Sequence, residues 1–435
     1  MKTYRSRLDD IVPELRFGRS GLESYYDTVT DRIETVDGKI HAFVDDSVTD
    51  DRISRQLARR TDTWAAQPFM PPLYGVPVGV KDVFQVDGFP TKAGASIPGE
   101  VLAGPEAAVI TRLKELGAVV VAKTVTTEFT HLPTGDTRNP HAVGHTPGGS
   151  SSGSAAAVAA GLCPLALGTE TTGSVIRPAA FCGVVGFRPS AGRLPTDGTV
   201  SLAPTADTVG LFTQDFEGVR SVAPLLCDQW TTCGQPDTRP TVGVPDDDYL
   251  DQASRAGRER FERQVESLES AGFDIEQVAL FSDLERINEL HDALLAAEAA
   301  DVHAEWHGRY PDCYSTPMVE LIQRGNGISV ETVGRARRQM RRTRAGVESA
   351  FTSTDIDVLV APPARGVAPE GLDDDGDPVM NLPWTHAGLP VLNLPVESTD
   401  AGLPVGIACI GRFGRDESLL AHAEYIEDAL LVPPE

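Results

Sequence analysis

The stretch TPGGSSSGSAAAVAAG, Thr146 to Gly161, crowds hydroxyls and glycines where a loop turns into a helix. Three chemistries suit it. Serines cap helices and glycines take backbone shapes closed to other residues, which is a structural role. Backbone N–H groups at a helix start can cradle phosphate. Against that reading, the pattern G-x-x-x-x-G-K-[ST] is absent, and the one Gly-Lys pair, Gly38-Lys39, leads to Ile40. The third chemistry is nucleophilic. Gly149 to Gly153 fits G-x-S-x-G, the nucleophile elbow, with Ser151 at its centre. That route needs a histidine and an acid further along. His291, His303, His307, His386 and His422 are available, and none stands in a motif.

A second segment, LGTETTGSVIRPAAFCGVVGFRPSAGRLP (167–195), is rich in small residues and sets Ser174 beside Gly173. Upstream, GVPVGVKD (75–82) ends an apolar run on Lys81. Serine is a weak nucleophile until a base takes its proton. Lysine can be that base only if its pKa falls from about 10.4 toward neutrality, through burial or nearby positive charge. The run GVPVGV supplies burial. The plainer alternative for Lys81 is a strand-end lysine reaching to solvent. Alternation along an extended chain aims Asp82 away from Lys81. A lysine base requires this, because a close carboxylate would hold it protonated.

Together these three segments resemble the amidase signature family of serine hydrolases. The family's lysine follows a G-x-P-x-x-x-K-D strand end, its double serine sits in G-G-S-S-G-G-S, and its nucleophile sits in G-T-D-x-G-G-S-I-R. Lys81, Ser150 and Ser174 match these positions and stand 69 and 24 residues apart, as the family spacing has it. AKTVTTEF (122–129) is similar to the family's G-K-T-N-x-x-E-F, and GLPVLNLPVESTDAGLPVGIACIG (388–411) to its C-terminal return to the sheet.

The resemblance implies a Ser–cisSer–Lys triad. Lys81 takes a proton from Ser150, Ser150 takes one from Ser174, and Ser174 attacks the amide carbonyl. The peptide Gly149–Ser150 is cis in this reading, and Gly149 eases that geometry. The oxyanion hole falls to backbone N–H groups at Thr171, Thr172, Gly173 and Ser174. Gly149, Ser151 and Arg177 support the site, and Ser151, Ser152 and Ser154 cap the following helix or hold the turn. The expected activity is hydrolysis of a small linear carboxamide to a carboxylate plus ammonia or an amine, with no cofactor and no metal. Two alternatives are a glutaminase-like A subunit of a tRNA-dependent amidotransferase and a non-catalytic binding protein on the same scaffold. This chain departs from the pattern at three places. Thr172 replaces the usual glycine, Glu170 replaces Asp, and Arg177 stands three residues after the nucleophile, not two. Arg177 therefore reads either as organising the site or as half of a structural ion pair. His303 and His307, spaced i, i+4, could form a zinc face, but HAEWH is not H-E-x-x-H. Trp306, Trp384 and Tyr314 are candidates for pocket walls or core.

The elements that must hold these groups follow an α/β rhythm. Strands are expected at 72–80, 118–124, 163–169, 357–363 and 404–411. Helices are expected over 1–66, including DRISRQLARRTDTWAAQ, and over 105–117, with Pro105 in the first turn and Gly117 as the stop. Further helices run from 252 to 272 and, with a break near RGNGIS, from 284 to 350. DDDGD (373–377) reads as a solvated loop. The sum is one large α/β domain, 1–435, with a mixed twisted β-sheet covered by helices on both sides. Within it lie N-terminal helices (1–66), a catalytic core (67–220), a variable helical region (221–350) and a C-terminal return (351–435). Substrate selection is expected from loops near 125–145 and 290–390.

Composition bounds the setting. No apolar run reaches the roughly 18 residues of a membrane span, and the N-terminus lacks the apolar core of a secretory signal. Six scattered cysteines without a C-x-x-C pair suggest free thiols and a cytoplasmic location. A formal charge of −25 argues against direct nucleic-acid binding. The expected partner is a small-molecule amide, with no membrane; a homodimer is left open. The 38 basic residues include only 6 lysines, none after Lys123. An acidic, arginine-rich surface of this kind suits high salt.

Overall fold

A computed structural model of the chain describes residues 7–17, 21–45, 47–49, 52–58, 70–236 and 238–431. Its ten strands are β1 (Pro77–Lys81), β2 (Val119–Thr124), β3 (Leu165–Glu170), β4 (Val185–Arg188), β5 (Thr208–Thr213), β6 (Val242–Pro245), β7 (Ile275–Val278), β8 (Val358–Ala361), β9 (Val391–Ser398) and β10 (Pro404–Ile410). They form one sheet in the order β2-β1-β3-β5-β4-β9-β10-β8-β6-β7. β1 runs parallel to β2 and β3. β5 is antiparallel to β3 and β4, and β9 is antiparallel to β4 and β10. The sheet is mixed, flanked by helices, and belongs to a single domain.

β1, β2 and β3 are buried at every position. That is why they read as continuous apolar runs without alternation. One hydrophobic core extends from Leu8 to Ile426 and takes in both halves of the chain. Chain order and sheet order differ, most of all where β9 and β10 return between β4 and β8.

The alanine-rich helix Ser152–Ala159 is wholly buried. Its small side chains let its backbone lie close to neighbouring segments. A Cβ on Gly153 would stand 2.2 Å from the carbonyl oxygen of Ala42 and 2.4 Å from the nitrogen of Val125. Gly161, at φ +67°, follows the helix end.

Several expectations shift. The helix expected from Pro105 is Ala108–Glu115, so Pro105 lies ahead of its first turn; Gly117 follows at φ +98°. Residues 52–58 are helical with Ile53 and Leu57 buried, and the rest of DRISRQLARRTDTWAAQ lies outside the described residues. The helices Leu284–Arg309, Thr316–Asn326 and Val330–Ser353 carry the variable region, broken at 327–329 as expected. DDDGD is not uniformly solvated, because Gly376 is buried and the Asp375 side chain is only 16% exposed. Among the described residues no helix is long and apolar enough to cross a membrane.

Candidate active site

β1 delivers Lys81 to the interior, where the residue is fully buried. β3 lies alongside, with Val80 level with Leu167, so Thr169 comes within reach. The Lys81 Nζ stands 2.6 Å from Ser150 Oγ, 2.9 Å from Thr169 Oγ1 and 3.2 Å from the Thr169 carbonyl. Burial is the largest influence on this amine and lowers its pKa to about 7. The carboxylates of Asp207, Asp375 and Glu170 oppose the shift, and Arg177 assists it. Asp82 turns away, as alternation requires. Its Oδ1 sits 2.7 Å from Lys123 Nζ, and its Oδ2 accepts the Lys92 N–H at 3.1 Å.

The Gly149–Ser150 peptide is cis. Gly148 and Gly149 are hemmed in. Cβ atoms there would lie 2.9 Å from Pro178 Cα and 2.4 Å from Asp375 Oδ2. The neighbouring serines do not cap the helix with their side chains. The Ser151 hydroxyl donates to the Thr169 carbonyl at 3.1 Å and accepts from its N–H at 3.3 Å. Ser154 donates to the Leu167 carbonyl at 2.8 Å, and Ser152 to that of Val125 at 3.3 Å. These hydroxyls hold the helix to β3 and the 125 segment instead. Ser151 is fully buried and absent from the cleft wall, which leaves the elbow reading centred on it unsupported.

Ser174 lies on the turn leaving β3. Glu170, buried at the end of that strand, organises the backbone beyond it. Its Oε2 accepts the N–H groups of Val175 and Ile176 at 2.9 and 3.1 Å. Its Oε1 accepts the Thr385 hydroxyl at 2.8 Å and faces Arg188 Nε at 2.9 Å. Gly173 has φ +72°, and a Cβ there would lie 2.9 Å from Asn381 Cβ. The N–H groups of Thr172, Gly173 and Ser174 have no backbone acceptor among the described residues. The Thr171 hydroxyl donates to Asp207 Oδ1 at 2.6 Å.

Arg177 is buried and bridges three segments. Its NH2 donates to the Gly149 carbonyl at 2.8 Å, its Nε to the Asp375 carbonyl at 2.8 Å, and its NH2 pairs with Asp375 Oδ2 at 3.2 Å. The ion-pair reading of this arginine is met by Asp375, beside the cleft. The cleft itself has a volume of about 360 Å³, and Ser174, Thr172, Arg177, His131, His291 and Asp375 are among its lining residues. His291, Asp292 and the 374–378 loop fall in the 290–390 range expected to select substrate, and Thr130 to Leu132 fall in the 125–145 range.

Other candidates lie elsewhere. Trp306, Trp384 and Tyr314 do not line the cleft. Trp384 donates from Nε1 to the Tyr249 hydroxyl at 2.9 Å, and the Tyr314 hydroxyl lies 3.0 Å from His303 Nδ1. Among the described residues no group of three or more His, Cys, Asp or Glu side chains could hold a metal ion. His291 and Asp375 carried no sequence signal. One was a histidine outside any motif, and the other sat in a run of aspartates.

A family model described as Amidase matches residues 26–420. The chain is 31% identical over 459 residues to the A subunit of the glutamyl-tRNA(Gln) amidotransferase of Synechococcus sp. (strain CC9311), with 92% of each chain covered. The corresponding protein of Salinibacter ruber (strain DSM 13855 / M31) is 34% identical over 284 residues, which is 60% of this chain and 55% of that one. A solved structure described as an amidase superposes with a TM-score of 0.87 at 27% identity, covering 98% of this chain and all of the other. The peptide amidase of Stenotrophomonas maltophilia shares the fold, with a TM-score of 0.81 at 24% identity over 98% of this chain and 97% of that one.

These relatives correct one expectation. A charge of −25 suggested that nucleic acid plays no direct part. Yet the Synechococcus relative, so similar along its length, is part of an enzyme named for glutamyl-tRNA(Gln). The net charge of one polypeptide does not decide what its assembly handles. With a match running from residue 26 to residue 420, the chain belongs to the Amidase family of amidase-signature hydrolases.

Proposed function

We propose that the chain hydrolyses the carbon–nitrogen bond of a small carboxamide through an acyl-enzyme on Ser174. The observation that carries this reading is the buried Lys81 amine, 2.6 Å from the Ser150 hydroxyl oxygen. A neutral amine has two N–H donors and one lone pair. Directed at the Thr169 hydroxyl and carbonyl, the two donors leave the lone pair for the Ser150 proton. Ser150 then takes the proton of Ser174 as Ser174 attacks the substrate carbonyl. The backbone N–H groups from Thr171 to Ser174 meet the developing oxyanion, and one such donor is typically worth about 3 kcal/mol. The relay run backwards protonates the leaving amine. A water deprotonated by the same relay then releases the carboxylate. The cleft, about 360 Å³, suits a small substrate. All six cysteines are free, which agrees with a reducing cytoplasmic setting.

A second reading has its own support. The similarity to amidotransferase A subunits, 31% identity over 92% of the chain, favours a glutaminase-like component releasing ammonia within an assembly. Both readings use the same acyl-enzyme chemistry. A fluorophosphonate probe is expected to label Ser174, and Ser174→Ala is expected to abolish both labelling and turnover while the fold stays intact. Activity surviving in Ser174→Ala would remove the nucleophile assignment. Absence of labelling in the native chain would favour a non-catalytic binding protein. The purified chain is then assayed on aliphatic, aryl and amino-acid amides. Turnover by the chain alone supports the amidase; glutamine turnover only with co-purified partner chains supports the amidotransferase component.

A further inference from the structure

His291 and His386 form an array behind the turn that carries Ser174. The helix Leu284–Arg309 supplies the first and the helix Leu382–Ala387 the second. Both rings are buried. His291 Nε2 stands 3.1 Å from the Thr171 carbonyl and 3.1 Å from the Thr172 hydroxyl, and its Nδ1 stands 3.3 Å from His386 Nδ1. Burial lowers both rings, to about 4 for His291 and about 3 for His386, so both are neutral near pH 7.

The carbonyl at one end of the array and the unpartnered nitrogen at the other select the tautomers. A carbonyl oxygen only accepts, so His291 carries its proton on Nε2 and donates it toward Thr171. Its Nδ1 is then a lone pair, and His386 donates from Nδ1 to fill it. The remaining His386 Nε2 is buried with no partner among the described residues. In this order that nitrogen is bare, and no N–H is left without an acceptor. The opposite order would take the donor from the Thr171 carbonyl, leave the Thr172 hydroxyl donating to Nε2 instead, and bury an unpaired N–H on His386, which is the costlier arrangement.

We propose that His291, ordered by His386, is a positioning residue for the oxyanion hole. The Thr171 carbonyl and the Thr172 N–H are two ends of one peptide unit. A donor held on the carbonyl fixes the plane of that unit and draws electron density toward oxygen. The N–H at the other end becomes a better donor, as in any hydrogen-bonded chain of peptides. The Thr172 hydroxyl oxygen, 3.1 Å from the same nitrogen, accepts a share of that N–H and helps to hold the ring over this peptide. A glycine at that position could not supply it, so the departure from the family pattern at Thr172 and the histidine from a distant helix belong to one device.

This inference rests on Ser174 being the nucleophile, and labelling Ser174 in the native chain tests that premise first. Loss of labelling would remove the premise; the remaining measurements bear on the inference alone. In chain labelled with ¹⁵N-histidine, His291 is expected as a neutral ring protonated on Nε2. A ring protonated on Nδ1, or a charged one, overturns the proposal without any variant. His291→Leu is expected to lower kcat about tenfold or more with KM within about twofold. It should weaken binding of a trifluoromethyl ketone that forms a hemiketal with Ser174 by a similar factor. His291→Gln, which restores a side-chain N–H donor, should recover most of both. Equal losses in the Leu and Gln variants, or a loss confined to KM, would overturn the proposal.

Discussion

At the residue level the mechanism turns on one protonation state. Burial holds Lys81 near 7, so its neutral form fills as pH rises through neutrality. The proposed relay needs that form. The acid limb of kcat/KM is therefore expected to fall about tenfold per pH unit below about 7 and to level above it. A profile flat from pH 5 to 10 would exclude Lys81 as the base. Asp375 sharpens the test. Its negative charge favours the ammonium form, and its partner Arg177 disfavours it. Asp375→Asn removes the first influence and frees the second, so the limb should move to lower pH. Movement upward would contradict the electrostatic account. The contact between Lys81 and Ser150 was legible because each sits in a contiguous pattern whose backbone shape demands those neighbours. His291 and Asp375 were not, because they reach the cleft from a helix and a loop with no local pattern. Four aspartates within DDDGD read as solvated, yet folding turns one of them onto Arg177.

At the level of elements, β3 and its following turn hold the site together. Glu170 accepts two N–H groups at the start of the helix Ile176–Cys182 and pairs with the fully buried Arg188. Glu170→Ala would leave a buried guanidinium without this partner and two N–H groups without an acceptor. Breaking such a buried pair costs about 3–5 kcal/mol. Urea unfolding is the measurement, and a loss below about 1 kcal/mol, the scale of a surface pair, would show the network to be dispensable. Turnover should fall as well, since the same carboxylate aims the Ser174 turn. The longer reach of Glu compared with Asp explains how one side chain serves the helix start, Thr385 and β4 together. Sequence reasoning located β1, β2, β3, β8 and β10 because apolar runs bounded by glycine and proline mark buried strands. Of its two roles for the serines of the alanine-rich helix, capping fails. Hydroxyls near a helix start suggest caps, but a helix packed this close gives them strand carbonyls to bond instead.

For the molecule as a whole, the sequence implied one mixed sheet but not its order. Which strands adjoin depends on contacts across hundreds of residues, as when β4 pairs with β9. Charge is a second whole-molecule property, and here two effects compete. Screening weakens exposed ion pairs such as Arg255–Glu259, whose side chains are 93% and 51% exposed. Each such pair, held out in water, contributes little to stability. Screening also relieves the mutual repulsion of 63 acidic against 38 basic residues, and that repulsion acts over the entire surface. The Debye length falls from about 10 Å at 0.1 M to about 3 Å at 1 M, short enough to isolate most surface carboxylates from one another. The second effect should therefore win. Tm is expected to rise by a few degrees as KCl goes from 0.1 to 2 M. KCl is the salt to use, because sulfate stabilises most proteins by exclusion from their surfaces, whatever their charge. A Tm that stays level or falls would mean that the local pairs outweigh the excess negative charge, and the reading of an acidic, arginine-rich surface as an adaptation to high salt would fail with it.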